Sequence, residues 1–585
     1  MKAPDSISPD ATPPSRNIAG AVAVVMSWID EQSSAPVPPT WVPGASARER
    51  QALASLGGAV HSYWASTGRT PEWISAWDDI QEWLTDGPKA PASVTSAIAL
   101  LAASGPDAIA RLYDSAVHAA ARRHLGTFFT PSAEARWMVK RWTSTFGSPD
   151  AVVDVGAGVG VFTVAAHEAW PSAELIPIDI NPITLGLVAL LASPSLNERV
   201  RPVQADFAAW SHESFGDVEG RRLILGNPPY TRLQLIPPAQ RALLLAAAGG
   251  LCTARASLSA LMLGTSLTMI GEHDGVCLLL PAQWLESDYA EGLREWLWAR
   301  TDRRVELHLF ESQLFADAQI DAVSLLVGPA QPTRQPLVLG MATSTKRAVA
   351  SRVREVDRAD QAEPPANWRH LFARDTSEPA RAGQPLSVLA TIRRGTATGA
   401  NAFFTLSPEE VERWDLPASS LRHFIQRTRD HTLSVTTQDL EALGPRSKRF
   451  MLVIDRSAML DAHLRHYLRH GIRNGVHARV LTRTRGVWFA LGSEASAPDV
   501  IVSASARQGF TLLENQAGAV IANNLYGLRW HATTPLEVRD AVLRWLRSPD
   551  GQVALLAVAR HQADGLRKLE VSALARLTIP DSVTT

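Results

Sequence analysis

The stretch VVDVGAGVGVFTVAA at 152–166 constrains the fold more than any other. A run of apolar, β-branched residues meets a glycine turn and then a helical pattern. Gly156, Gly158 and Gly160 let the backbone pass close to a ligand at the C-terminal edge of the strand. The spacing is Gly-x-Gly-x-Gly, which departs from the Gly-x-Gly-x-x-Gly dinucleotide fingerprint. Further strand-like runs follow between helical stretches: AELIPIDI, RPVQADF, RLILGNPPY, GVCLLLPA, RVELHLF and DAVSLLVG. This is the βαβ rhythm of an α/β protein with a doubly wound sheet.

The flanking segments have other textures. Residues 1–18 hold Pro, Ser and Asp without periodicity and are expected to be disordered. Residues 19–120 carry apolar residues at i, i+3 and i+4, as in IAGAVAVVMSWIDEQ, and predict a helical region. Residues 121–330 hold the βαβ pattern. GPAQPTRQP at 328–336 breaks it, so 331–384 is expected to be a linker. From 385 to 585 short strands, turns and amphipathic helices predict an α+β domain.

Composition narrows the class. Cys252 and Cys277 are the two cysteines, too few for a disulfide framework or a zinc site, so no metal is expected and reduced thiols fit a cytoplasmic protein. The N-terminal residues lack the apolar core of a secretory signal. The longest apolar stretch, near 242–270, is broken by Arg255, Ser and Thr and reads as buried helix, with no membrane span. The net charge of −1 hides an asymmetry. Residues 331–585 hold 34 Lys+Arg against 24 Asp+Glu, leaving −11 on the first 330. A polyanion would therefore meet mainly the back half.

Four strand ends carry the chemistry. Asp179 ends the second strand, 23 residues after Gly156, where a carboxylate can accept from two ribose hydroxyls. Asp206 ends the third and can accept from an adenine amino group, with Phe207 beside it to stack on the ring; alone, Asp206 reads equally as a helix N-cap. Asn227, Pro228, Pro229 and Tyr230 end the fourth. Two prolines lock φ and give up their N–H groups, which leaves a rigid backbone and free carbonyls.

In this order the four ends resemble the class I S-adenosylmethionine-dependent methyltransferases. The Asn-Pro-Pro-Tyr motif resembles that of amino-methyltransferases acting on adenine N6 and, less often, on other planar amides or amines. LGTFFTPSAEARWMV at 125–139 is similar to the segment preceding the glycine motif in gamma-type, TaqI-like N6-adenine DNA methyltransferases. IRRGTATGANAFFTLS at 392–407, VWFALG and VIANNLYGL are similar to parts of their DNA-recognition domain. The resemblance covers about 122–330 well and 385–530 loosely. It implies a doubly wound seven-stranded catalytic domain, an N-terminal helical region and a C-terminal α+β DNA-recognition domain.

The resemblance also implies roles. Thr130 and Pro131 would contact the methionine carboxylate of S-adenosylmethionine; Asp154, the three glycines, Asp179, Asp206 and Phe207 would complete the cofactor site. Asn227, Pro228, Tyr230 and Phe315 would form the catalytic site, the two aromatics gripping a flipped base. Arg393, Arg394, Arg483 and Arg485 would bind double-stranded DNA. Length and layout are similar to those of SalI-type modification methylases, which implies a short palindrome such as GTCGAC. The expected setting is a bacterial cytoplasm and nucleoid, a monomer, and a separately encoded cognate restriction endonuclease. The alternatives are a methyltransferase acting on RNA or protein glutamine, the methylase half of a fused restriction–modification enzyme, an inactive DNA-binding module, and a nicotinamide dehydrogenase, for which Asn-Pro-Pro-Tyr has no role.

Overall fold

Every residue of Ala151–Val155 is buried, so this strand (β1) needs protein on both of its faces. Its neighbours are β2 (Glu174–Asp179), β3 (Val203–Gln204), β4 (Arg222–Gly226), β5 (Gly275–Pro281), β6 (Arg303–Phe310), β7 (Ala322–Ala330), β8 (Leu337–Ser344) and β9 (Val349–Val356). The computed structural model describes residues 15–68, 70–118, 121–122, 128–191, 196, 198–231, 235–310, 314, 321–344, 349–358, 364–365, 367–372, 383–428, 433–456, 458–491, 495–561 and 566–584. The chain divides into two units, Met1–Arg374 and Asp375–Thr585.

In the first unit the sheet order is β3-β2-β1-β4-β5-β7-β6-β8-β9. Strands β1 to β5 pair in parallel, and β7 runs antiparallel to both β5 and β6. The first seven strands thus form the doubly wound sheet expected from the sequence. Alternate β1 side chains feed two cores. Val152 joins the N-terminal helices and the helices Ser132–Phe146, Val161–Ala169 and Pro182–Val188. Val153 and Val155 join the face built from Phe207–Ser214, Leu258–Met269 and Glu291–Ala299.

Register aligns the strand ends. Val155 lies opposite Ile178 on β2 and Gly226 on β4, and Ile178 lies opposite Val203 on β3. The residues that follow these strands therefore leave from one edge. Winding reverses between β1 and β4, which opens a crevice at that edge.

Three expectations are corrected. The sheet has nine strands, since residues 337–356 of the expected linker form β8 and β9. Leu337, Val338 and Leu339 are buried because β8 pairs in parallel with β6, so the apolar run PLVLG continues the sheet. The first helix begins at Ser15, inside the segment expected to be disordered; residues 1–14 lie outside the described ones. Further helices follow it at Ala47–Thr67, Asp78–Thr85, Ala92–Ala103 and Pro106–Ala116.

A buried polar network fastens the extension. Glu306 on β6 is fully buried and accepts from Arg141 Nε (2.7 Å) and Nη2 (3.1 Å) and from Arg304 Nε (2.7 Å). His308 Nε2 lies 3.1 Å from the same carboxylate, and its Nδ1 lies 2.8 Å from Ser351 Oγ on β9. A carboxylate only accepts, so Nε2 carries the hydrogen. Burial holds the imidazole below its usual range, so it is neutral at pH 7 and Nδ1 accepts from Ser351. Burial would raise the Glu306 carboxyl, but bonds from His308, Arg141 and Arg304 hold it at about 2. Gly340 makes room, since a Cβ there would lie 2.3 Å from His308 Nδ1.

The second unit is α+β. One five-stranded sheet runs in the order Ala390–Arg394, Leu525–Trp530, Val500–Ser503, Leu512–Asn515 and Ser434–Val435. A four-stranded sheet holds Thr405–Leu406, Phe450–Leu452, Leu421–Ile425 and Val520–Ile521. Gly383–Pro385 pairs antiparallel with Thr578–Pro580, tying the two ends of the unit together.

Candidate active site

A cavity of about 350 Å³ opens where β1, β2, β3 and β4 end. Of the expected site residues, Thr130, Gly156, Gly158, Asp179, Asp206, Phe207 and Asn227 line it. Gly158 shows why the turn needs glycine. Its φ is +55°, and a Cβ would sit 3.1 Å from Phe129 Cε1. Its N–H instead donates to Asp179 Oδ2 at 2.8 Å.

Asp179 also accepts from the Asn181 N–H at 2.8 Å through Oδ1. Burial pushes its carboxyl above the usual range against these two bonds. Each oxygen keeps a lone pair for a ligand hydroxyl. Asp206 takes the helix N-cap place that its position allows. Oδ1 caps the helix Phe207–Ser214 by accepting from the Ala208 (2.9 Å) and Ala209 (3.4 Å) N–H groups. Oδ2 accepts from Gln240 Nε2 at 2.5 Å on the cavity wall.

Asn227 is held by its nitrogen. Nδ2 donates to the Phe128 carbonyl (2.9 Å) and to Thr130 Oγ1 (3.1 Å). A carbonyl only accepts, so the amide can face it in one way alone. That leaves Oδ1 buried with no hydrogen-bond partner among the described residues. An unpaired buried acceptor costs roughly 1–3 kcal/mol. Its persistence at a cavity wall marks a place for a donor from outside the chain.

Other expected residues stand behind the wall or away from it. Asp154 is buried under the glycine turn, where Oδ2 accepts from Thr163 Oγ1 at 2.6 Å and Oδ1 has no partner among the described residues. Burial raises its carboxyl to about 7, which the Thr163 bond opposes. Asp154 stands behind the residues that line the cavity. Gly160 packs against Val188, and Pro131 directly precedes the helix Ser132–Phe146. Pro228 is buried. Tyr230 is half-buried against Phe128 (ring centroids 5.8 Å apart), and its hydroxyl donates to the Leu279 carbonyl at 3.4 Å. Phe315 lies outside the described residues.

In the second unit Arg393, Arg394 and Arg483 are exposed, and Arg394 Nε donates to the Asn523 carbonyl at 2.7 Å. Arg485 is turned inward. It donates to the Thr398 (2.9 Å) and Ala397 (2.5 Å) carbonyls and lies over the Phe404 ring. Both terminal nitrogens are engaged by the unit itself, which holds that turn.

Several wall residues escape sequence reading. Ile180 is 53% exposed beside Asp179, an apolar face left for a planar ring. Thr40 and Pro43 reach the wall from the N-terminal region, and Gln240 from the helix Pro238–Ala247. The pair Asn181-Pro182 does carry a signal, since an Asn N-cap followed by Pro starts a helix and fixes the Asp179 turn. The glycine turn, two part-exposed acceptors, the apolar wall and the orphaned amide oxygen suit a nucleoside-type ligand with a second, amine-bearing group beside it.

Known proteins are similar to this chain in sequence and in fold. Residues 374–585 match the family described as the C-terminal domain of type II methyltransferase M.Eco57I. The chain is 24% identical over 486 residues to the type II methyltransferase M.XamI of Xanthomonas campestris pv. amaranthicola, covering 80% of this chain and 87% of that protein. It is 20% identical over 483 residues to the type II methyltransferase M.AccI of Acinetobacter calcoaceticus, covering 79% and 87%. Among solved structures, the fold is shared with the type IIL restriction–modification enzyme MmeI in complex with DNA, with a TM-score of 0.57, 13% identity and coverage of 96% of this chain and 84% of that one. The DrdV–DNA complex gives a TM-score of 0.54 at 10% identity, covering 96% and 69%.

Proposed function

We propose that this chain is a site-specific DNA adenine N6-methyltransferase of a type II restriction–modification system. The observation that carries the reading is the Asn227 amide, pinned by its nitrogen with a free acceptor at the cavity wall. S-adenosylmethionine is the cofactor, and when bound it supplies the methyl group on a sulfonium centre. Thr130, Gly156, Gly158, Asp179 and Asp206 are the residues that would hold it.

Adenine N6 is a poor nucleophile because its lone pair is delocalised into the ring. Asn227 Oδ1 accepts one N6 hydrogen and the Pro228 carbonyl accepts the other. This draws the nitrogen toward sp³ and turns the lone pair outward. Neither acceptor carries a proton or a charge to desolvate. Both are set before substrate arrives, so little reorganisation remains at reaction. A base in duplex DNA cannot reach such a wall, so the adenine is flipped out, with Tyr230 and Phe315 as the stacking aromatics. The relatives named type II methyltransferases, the DNA-bound structural neighbours and the surplus of arginine in the second unit support DNA as substrate. A short palindromic target, a monomer, a cytoplasmic, nucleoid-associated setting and a separately encoded endonuclease complete the reading. Among the described residues no helix is long and apolar enough to cross a membrane.

The test is expression in a bacterial host lacking adenine methylation, followed by sequencing that reads modified bases directly. N6-methyladenine at one short motif is expected. A genome without modified adenine, from folded protein, would overturn the reading.

A further inference from the structure

The N-terminal helices lie outside the resemblance, yet one of their side chains sits directly beneath the cavity. Tyr113, on the helix Pro106–Ala116, is fully buried. Its ring meets Phe129 edge-on, with centroids 5.7 Å apart at 86°. Its hydroxyl accepts from Asn181 Nδ2 at 3.3 Å. These two contacts reach opposite halves of the site. Phe129 follows the residue whose carbonyl orients Asn227, and its ring fills the space that glycine leaves at 158. Asn181 donates its backbone N–H to Asp179.

The same region grips the segment once more. Asp107 Oδ1 accepts from the Ser132 N–H (3.0 Å) and hydroxyl (2.8 Å), fixing the helix that starts just after Thr130. The segment Phe128–Ser132 is thus held from one side by the helices and holds Asn227 on the other. We propose that Tyr113 is a positioning residue of the methyl-transfer site, setting Asp179 for the cofactor through its hydroxyl and Asn227 for the target amine through its ring. The N-terminal helical region is then part of the active site. This rests on the function proposed above.

The two arms separate experimentally. Tyr113→Phe keeps the ring and leaves Asn181 Nδ2 without its acceptor. It should weaken S-adenosylmethionine binding, measured by calorimetry without DNA, about tenfold. Turnover at saturating cofactor should stay within about threefold of the unsubstituted chain. Tyr113→Leu removes the ring edge as well, and turnover at saturating cofactor should fall about thirtyfold or more. Leu112→Ala, in the same buried helix, controls for general loosening. It should lower the melting temperature while leaving cofactor affinity unchanged. If Leu112→Ala reproduces both losses, or if the two Tyr113 variants bind and turn over like the unsubstituted chain, the inference is overturned. Should the unsubstituted chain itself fail to bind S-adenosylmethionine, the functional reading fails first.

Discussion

Two buried polar sites in the first unit are built on opposite rules. Around Glu306, each charged or polar partner is met: two arginines, a neutral histidine and a serine close the network. At the cavity wall Asn227 Oδ1, and behind it Asp154 Oδ1, have no partner among the described residues. The carboxyls register the difference, Glu306 held at about 2 and Asp154 raised to about 7. A closed network spends its hydrogen bonds on one geometry and serves the fold. An open one stores unmet acceptors where a ligand brings donors.

The sharpest way to break this comparison is to exchange the consequences. Asn227→Ala should lower methyl transfer by about 10³-fold or more while cofactor affinity and melting temperature hold nearly constant. Single-turnover rates beside calorimetry check it, and substantial residual transfer would sink the assigned role. Glu306→Ala should do the reverse. It strands Arg141 and Arg304 and should cost about 3–5 kcal/mol of stability, read by denaturant melts of the first unit's signal.

The pH dependence should differ in sign between the two carboxyls. Asp154 has a raised folded value, so its contribution is fully present below the ordinary carboxylate range and is lost as pH rises toward about 7. Each pH unit in that window costs about 1.4 kcal/mol per proton, and Asp154→Asn should flatten it. Glu306 has a depressed value, so its contribution is present above the ordinary range and is lost as pH falls toward about 2. Melts across pH with each single variant separate the two. The smallest effect concerns the second unit. Arg483→Ala should reduce the salt slope of DNA binding by about one, whereas Arg485→Ala should lower melting temperature and leave that slope alone.

Much of the site was readable because a parallel sheet turns sequence order into spatial order. Once VVDV, LIPID and LILG are recognised as strands, their ends must gather at one edge, and Gly158, Asp179 and Asn227 come together. What stayed hidden came from elsewhere in the chain. Tyr113 and Gln240 carry no local signature, and their contacts with Phe129, Asn181 and Asp206 exist only once helices pack. Strands β8 and β9 were missed for another reason. VASRVREV holds three charged residues and faces solvent along 352–355, and only the pairing of β8 with β6 and β9 makes it sheet. Arg483 and Arg485 look alike in sequence, yet one faces solvent and the other the carbonyls of its own turn.

The strand that closes the sheet has a further consequence. On β9, Arg352, Arg354 and Glu355 are exposed, and the opposite edge, β3, is two residues long. A long, flat, apolar edge would template another chain's backbone and invite self-assembly into fibrils. Here one border is studded with charge and the other is too short to register a partner. Molecules crowded together during synthesis would therefore meet through side chains rather than zip into a shared ladder.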